Sequence, residues 1–157
     1  MTMNALHRLR AVTERVAGLA DVLQPALLLL LRLYLASVFF KSGLTKIADW
    51  DTTLFLFTEE YAVPVLPPPL AAFMGTAGEL ALPVLLVLGL AGRFAALGLF
   101  VVNAVAVLAY PALWGFECPA AIQSHFAWGF GLLLLVGFGP GGWSLDRLLV
   151  RRIGAAR

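Results

Sequence analysis

The sequence predicts an all-α integral membrane protein, a four-helix bundle flanked by short interfacial helices. Two observations carry the prediction. The hydrophobic fraction is 61% and the charged fraction only 13%, where soluble domains run near 45–50% and about 25%. The apolar residues also gather into runs near the roughly 20-residue length that crosses a bilayer. A soluble core built from 157 residues cannot absorb that much apolar surface.

The predicted spans are residues 22–40, 70–90, 94–113 and 122–138. The first is interrupted only by Gln24, Pro25 and Arg32, and the second only by Glu79, apart from small and hydroxyl residues. The fourth is the shortest. Glycines at 75, 78, 89, 92, 98, 129 and 131 suit helices that pack closely in lipid. The whole chain, residues 1–157, reads as one membrane domain with no internal repeat and no low-complexity tract.

Ahead of the first span, Leu6, Leu9, Val12, Val16, Leu19 and Leu23 recur at three- and four-residue steps, with Arg8, Arg10 and Arg15 among the intervening residues. This pattern predicts an amphipathic helix over residues 1–21, lying on the membrane surface. It lacks the unbroken apolar stretch of a signal peptide before Asp21.

Between the first two spans, Asp49, Trp50, Asp51 and Thr52 are placed to cap a short helix through Tyr61. Trp50, Phe55, Phe57 and Tyr61 suit an interfacial aromatic belt. Pro64, Pro67, Pro68 and Pro69 then end that helix. Beyond the fourth span, Gly139, Pro140, Gly141 and Gly142 break the helix, and Ser144 caps a short basic helix within the tail at 144–157.

Lys and Arg set the expected orientation. With the N-terminus inside, the inner side holds Arg8, Arg10, Arg15, Arg93, Arg147, Arg151, Arg152 and Arg157, eight of the 11 basic residues. Lys41 and Lys46 fall outside. Both termini are therefore expected to be cytoplasmic. The net charge of +2 is no nucleic-acid signal, because the basic residues flank spans instead of forming a polar stripe.

Three polar side chains fall at membrane depth. By the 1.5 Å rise of a helix, Arg32 sits about 15 Å beyond Val22, and Glu79 and Asn103 reach a similar depth on the second and third spans. Such groups mark function by default, so Glu79, Arg32 and Asn103 are the candidate catalytic residues. A buried Arg32–Glu79 ion pair, with Asn103 bonding its spare donors or acceptors, is the simplest arrangement. That pair also has a purely structural reading, as a device that fixes helix neighbours and register.

A second group, Lys41, Lys46, Glu117, Cys118 and His125, is expected at the outer face. Lys41 and Lys46 are placed to attract an anionic substrate, or simply to snorkel at a span end. His125 is placed to hydrogen-bond a ligand or ligate a metal, or to serve as an interfacial anchor. The expected cavity opens toward the outer half, with walls from the first, second and fourth spans. Lys41, Lys46 and His125 stand at its mouth, and Arg32, Glu79 and Asn103 form its floor.

Cys118 is the only cysteine, so no internal disulfide forms. His7, Cys118 and His125 are too few and too spread for a closed metal site in one chain, and no haem or nucleotide motif appears. Any redox centre must come from a partner or a bound cofactor.

Three stretches also carry a resemblance. Arg32–Lys46 has arginine, an apolar stretch, then Gly43 and Lys46 three apart. Gly78–Arg93 has an intramembrane glutamate and a terminal arginine. The close reads Gly139-Pro140-Gly141-Gly142-Trp143-Ser144-Leu145-Asp146. Over about residues 25–150 the chain resembles the DoxX family. The resemblance implies a four-helix bacterial inner-membrane protein. Some relatives are subunits of thiosulfate:quinone oxidoreductases, and others are linked to redox defence. The resemblance also implies a membrane subunit of a quinone-linked or redox-associated complex, with quinone as the cofactor, Lys41 and Lys46 near its head group, His125 donating to a quinone carbonyl, and a protein partner or a second copy beside the chain. A non-catalytic membrane anchor or assembly partner is the alternative, and a small-molecule transporter the third reading.

Overall fold

The computed structural model describes residues 3–115 and 119–155. Six helices follow in order: α1 (Met3–Ala48), α2 (Trp50–Glu59), α3 (Pro68–Leu88), α4 (Gly92–Ala109), α5 (Pro119–Phe138) and α6 (Leu145–Ala155), with a 3-10 turn at Pro111–Trp114. Four of them, in α1, α3, α4 and α5, are long and apolar enough to cross a membrane. Large apolar side chains such as Leu30, Phe73, Phe94, Leu108 and Phe130 stay exposed on their outer faces. Lipid is the solvent that suits such faces, so the chain is a membrane protein in contact with the bilayer.

The core lies among the four long helices. Leu35, Ala36 and Phe39 of α1 meet Leu86 of α3, Ala95, Ala96 and Leu99 of α4, and Leu132 and Leu135 of α5. The helices follow one another around the bundle: α1 packs chiefly on α3, α3 on α4 and α4 on α5, while α5 closes more lightly on α1. Small residues permit this approach. A Cβ at Gly43 would lie 2.9 Å from the Leu80 side chain, so a larger residue would force α1 away from α3.

One end of the bundle carries the α3–α4 turn, α6 and most of the arginines. The other carries α2, the 60–67 loop and the start of α5. At this second end Asp49 accepts from the Thr52 main-chain N–H at 3.0 Å and the Thr52 hydroxyl at 2.7 Å. These bonds cap α2 and hold the Asp49 carboxyl below its ordinary range. Phe57, Ala71 and Ala72 form a second small core there, with Leu54, Tyr61, Val63 and Leu66 packed on it. Ala62 N–H donates to Ala109 O at 2.8 Å, tying the loop to the end of α4.

Three elements differ from expectation. The amphipathic segment expected over 1–21 is no separate element, because α1 runs unbroken from Met3 to Ala48. Pro25 does not interrupt α1: the carbonyl it deprives, one turn back, belongs to exposed Asp21, and the proline ring rests 3.5 Å from where a Cβ on Gly142 would stand. The first membrane crossing consequently extends beyond residue 40. The third span stops at Ala109 and not near 113, because Pro111 lacks the N–H that would extend α4 and turns the chain into the 3-10 segment.

Candidate functional site

Lys46, in the last turn of α1, points inward. Its Nζ donates to Ser42 Oγ at 2.9 Å and to Glu79 Oε2 at 2.5 Å. Ser42 is one helical turn earlier on the same face, so it steadies the ammonium from its own helix. Glu79, on α3, is only 7% exposed. Pro83 follows it by four residues inside α3 and cannot donate to the Glu79 carbonyl, which leaves the helix ladder open at the carboxylate's own residue.

The expected Arg32–Glu79 pair does not form. α1 continues to Ala48, so Arg32 is displaced toward the arginine-rich end by most of a span relative to Lys46. Its Nη1 reaches Leu86 O at 3.4 Å and Val87 O at 3.3 Å, and its Nη2 donates to Trp143 O at 2.5 Å. The terminal carbonyls of α3 carry the negative end of that helix, and a fully buried guanidinium completes them. Gly89, at φ 63°, ends α3 in the left-handed region, and Leu90 N–H returns to Leu85 O at 3.0 Å. Next to it, Asp146 accepts from Ala91 N–H at 2.8 Å and Gly92 N–H at 2.9 Å, supplying the cap that α4 lacks from its own sequence. Arg32 therefore belongs to a latch that joins α1, the α3–α4 turn and the start of α6.

Asn103 also departs from expectation. It meets neither Arg32 nor Glu79, and bonds instead to His125 on α5. Asn103 Nδ2 donates to His125 O at 3.0 Å, and Asn103 Oδ1 lies 2.8 Å from His125 Nδ1. The His125 ring stands edge-on to Trp128, with centroids 4.9 Å apart.

A cavity of about 450 Å³ lies at the α2 end, with Lys46, Glu79 and His125 among its lining residues. The walls come mainly from α3 and α4, with Met74, Val101, Val102 and Val105 among them, so the expected walls from the first, second and fourth spans are corrected. α1 adds only Ser42 and Lys46. Arg32 and Asn103 do not line the cavity, and Lys41 is exposed on the outer face of α1. Glu117 and Cys118 lie outside the described residues. Among the described residues, no group of three or more His, Cys, Asp or Glu side chains converges as a metal site.

Two tyrosines complete the lining. Tyr61 and Tyr110 meet edge-on at 5.1 Å, and both border the cavity. Burial first, then the neighbouring Tyr110, Glu60 and Glu79, raise the Tyr61 pKa and keep its phenol a donor. Tyr61 reads from sequence as an interfacial aromatic, and Tyr110 carries no motif. Only the fold, by turning the 60–67 loop onto the end of α4, brings them together.

The DoxX family model matches residues 27–112, a stretch that contains Arg32, Lys46, Glu79 and Asn103 and ends before His125. The chain is also similar to an uncharacterized protein of Haemophilus influenzae, 32% identical over 127 residues that cover 78% of this chain and 82% of that one. No solved structure matches it. A family match over more than half the chain, on a four-span bundle, makes this protein a member of the DoxX family.

Proposed function

We propose that this DoxX protein is the membrane subunit of a quinone-linked or redox-associated complex in the bacterial inner membrane, with both termini cytoplasmic. The cavity carries the reading. Its volume of about 450 Å³ falls in the range of small-molecule sites, and its walls are mostly apolar with a few polar groups. A quinone head group needs that combination, an apolar slot with hydrogen-bonding groups near its oxygens. Lys46, Tyr61 and Tyr110 supply donors for the carbonyls of a quinone, and Glu79 and His125 supply acceptors for the hydroxyls of its reduced form. The residues present therefore fit a quinone. Its two-electron chemistry is the quinone's own, while this chain binds, orients and excludes water. The partner holds any further redox centre.

The orientation rests on the sequence asymmetry, eight basic residues against two, and on the fold's gathering of Arg93, Arg147, Arg151 and Arg152 at one end. Reporter fusions at residue 157 and within 50–60 test it, and a periplasmic C-terminus overturns it.

Purification in mild detergent, followed by quinone extraction and identification of co-purified proteins, tests the function. Bound quinone, lost in Glu79→Gln together with quinone-linked activity of the complex, is the expected result. A second reading, a non-catalytic anchor or assembly partner, draws on the exposed stripe of Leu9, Val12, Val16 and Leu19 on α1, each more than half exposed. It takes over if Glu79→Gln and His125→Ala leave both quinone content and activity unchanged.

A further inference from the structure

Asn103 and His125 fix one another's hydrogen atoms. The main-chain carbonyl of His125 only accepts, and it lies 3.0 Å from one end of the Asn103 amide. That end must be the NH₂ group, since the reversed amide would set two acceptors face to face. The other end is then Oδ1, which also only accepts, and it lies 2.8 Å from His125 Nδ1. Nδ1 therefore carries the proton. A neutral imidazole protonated at Nδ1 presents a bare lone pair at Nε2.

The surroundings preserve this arrangement. A Cβ at position 129 would stand 3.2 Å from Asn103 Nδ2, so Gly129, one turn beyond His125, leaves room for the amide. Trp128 bounds the imidazole edge-on. Among the described residues Nε2 has no hydrogen-bond partner, and His125 lines the cavity.

We infer that Asn103 is a positioning residue that makes His125 an acceptor toward the cavity, and that the ligand group meeting His125 is a hydroxyl donor. A quinone carbonyl facing Nε2 would bring two lone pairs together. An aromatic hydroxyl, as in the reduced hydroquinone, completes the bond. The site thus favours quinol over quinone, and the role differs from the one expected of His125 from sequence, donation to a carbonyl. The ligand's class rests on the quinone-linked reading above; the imidazole's protonation does not.

Two measurements on the purified full-length chain in lipid nanodiscs test it. Histidine-specific ¹⁵N labelling yields two imidazoles, His7 and His125. Neutral His125 should show a protonated Nδ1 and a bare Nε2, and Asn103→Leu should return it to the mixture shown by exposed His7. Binding of a short-chain benzoquinol under reducing conditions, and of the matching benzoquinone, is read by tryptophan quenching. One hydrogen bond's difference predicts about tenfold tighter binding of the quinol, collapsing toward equality in Asn103→Leu. A wild-type His125 protonated at Nε2 overturns the inference, and so does quinone binding as tight as quinol. If neither ligand binds, the quinone-linked reading and the ligand class fall together, while the wild-type spectrum still decides which nitrogen carries the proton and the Asn103→Leu spectrum whether Asn103 sets it. Both wild-type measurements stand even if the Asn103→Leu protein does not fold.

Discussion

Lys46 Nζ and Glu79 Oε2 lie 2.5 Å apart, joining the last turn of α1 to the middle of α3 beside the cavity. The side chains keep 20% and 9% of their surface, so the pair is shielded from water but open to a ligand. Ser42 holds the lysine on its own helix, which leaves the ammonium a third donor and the carboxylate a second oxygen.

Removing one member strands the other. Glu79→Ala should destabilise the protein by on the order of 3 kcal/mol, read as a lowered melting temperature in detergent. Lys46→Met combined with Glu79→Met should recover much of that loss. The same cycle run with Arg32 and Glu79 should give additive losses, because those residues bond to different partners. Strong coupling between Arg32 and Glu79 would contradict the observed pairing.

Arg32→Met should leave the terminal carbonyls of α3 and the Trp143 carbonyl without their shared donor. The expected loss is about 3 kcal/mol, together with faster proteolysis of α6, which the latch holds down. Arg32→Lys should rescue little, since an ammonium cannot span carbonyls on two separate segments as the planar fork does. Proteolysis at the wild-type rate in Arg32→Met would show that the latch does not hold α6.

Gly89→Ala should cost at least about 2 kcal/mol, from the left-handed backbone and from a Cβ that would overlap Arg32 Nη1 and Ser144. Gly137→Ala is the control: it lies in α5 with nothing within 4 Å of an added Cβ. It should be neutral or stabilising by up to about 1 kcal/mol. Equal melting temperatures for the two variants would refute the close packing at the α3–α4 turn.

Asp49 makes the α2 cap pH-dependent. Its folded pKa is depressed by the Thr52 N–H, then the Thr52 hydroxyl. The cap is therefore fully stabilising above the ordinary carboxylate range, near 4, and is lost as pH falls through the folded value. The protection of the Thr52 and Thr53 amides against exchange, relative to their intrinsic rates at each pH, should fall as pH falls through that range. Asp49→Asn should remove this pH-dependent loss of protection.

The sequence by itself determined the class, the number of membrane-crossing helices and their approximate positions, because apolar runs of bilayer length have one solution in lipid. It also showed the caps at Asp49 and Ser144, since a cap is a local pairing of side chain and backbone. Polar partnership was decided only by the tertiary structure. Counting depth from Val22 set Arg32 opposite Glu79, yet α1 runs on to Ala48 and shifts Arg32 to the end of α3, so Lys46 takes the carboxylate instead. Asn103 on α4 finds His125 on the neighbouring α5, a pairing that the count of depth along each span did not reveal. Which polar side chains meet depends on where each helix starts, how it is rotated and how closely its small residues let it approach, and a lipid-buried donor takes whatever acceptor that geometry brings within reach.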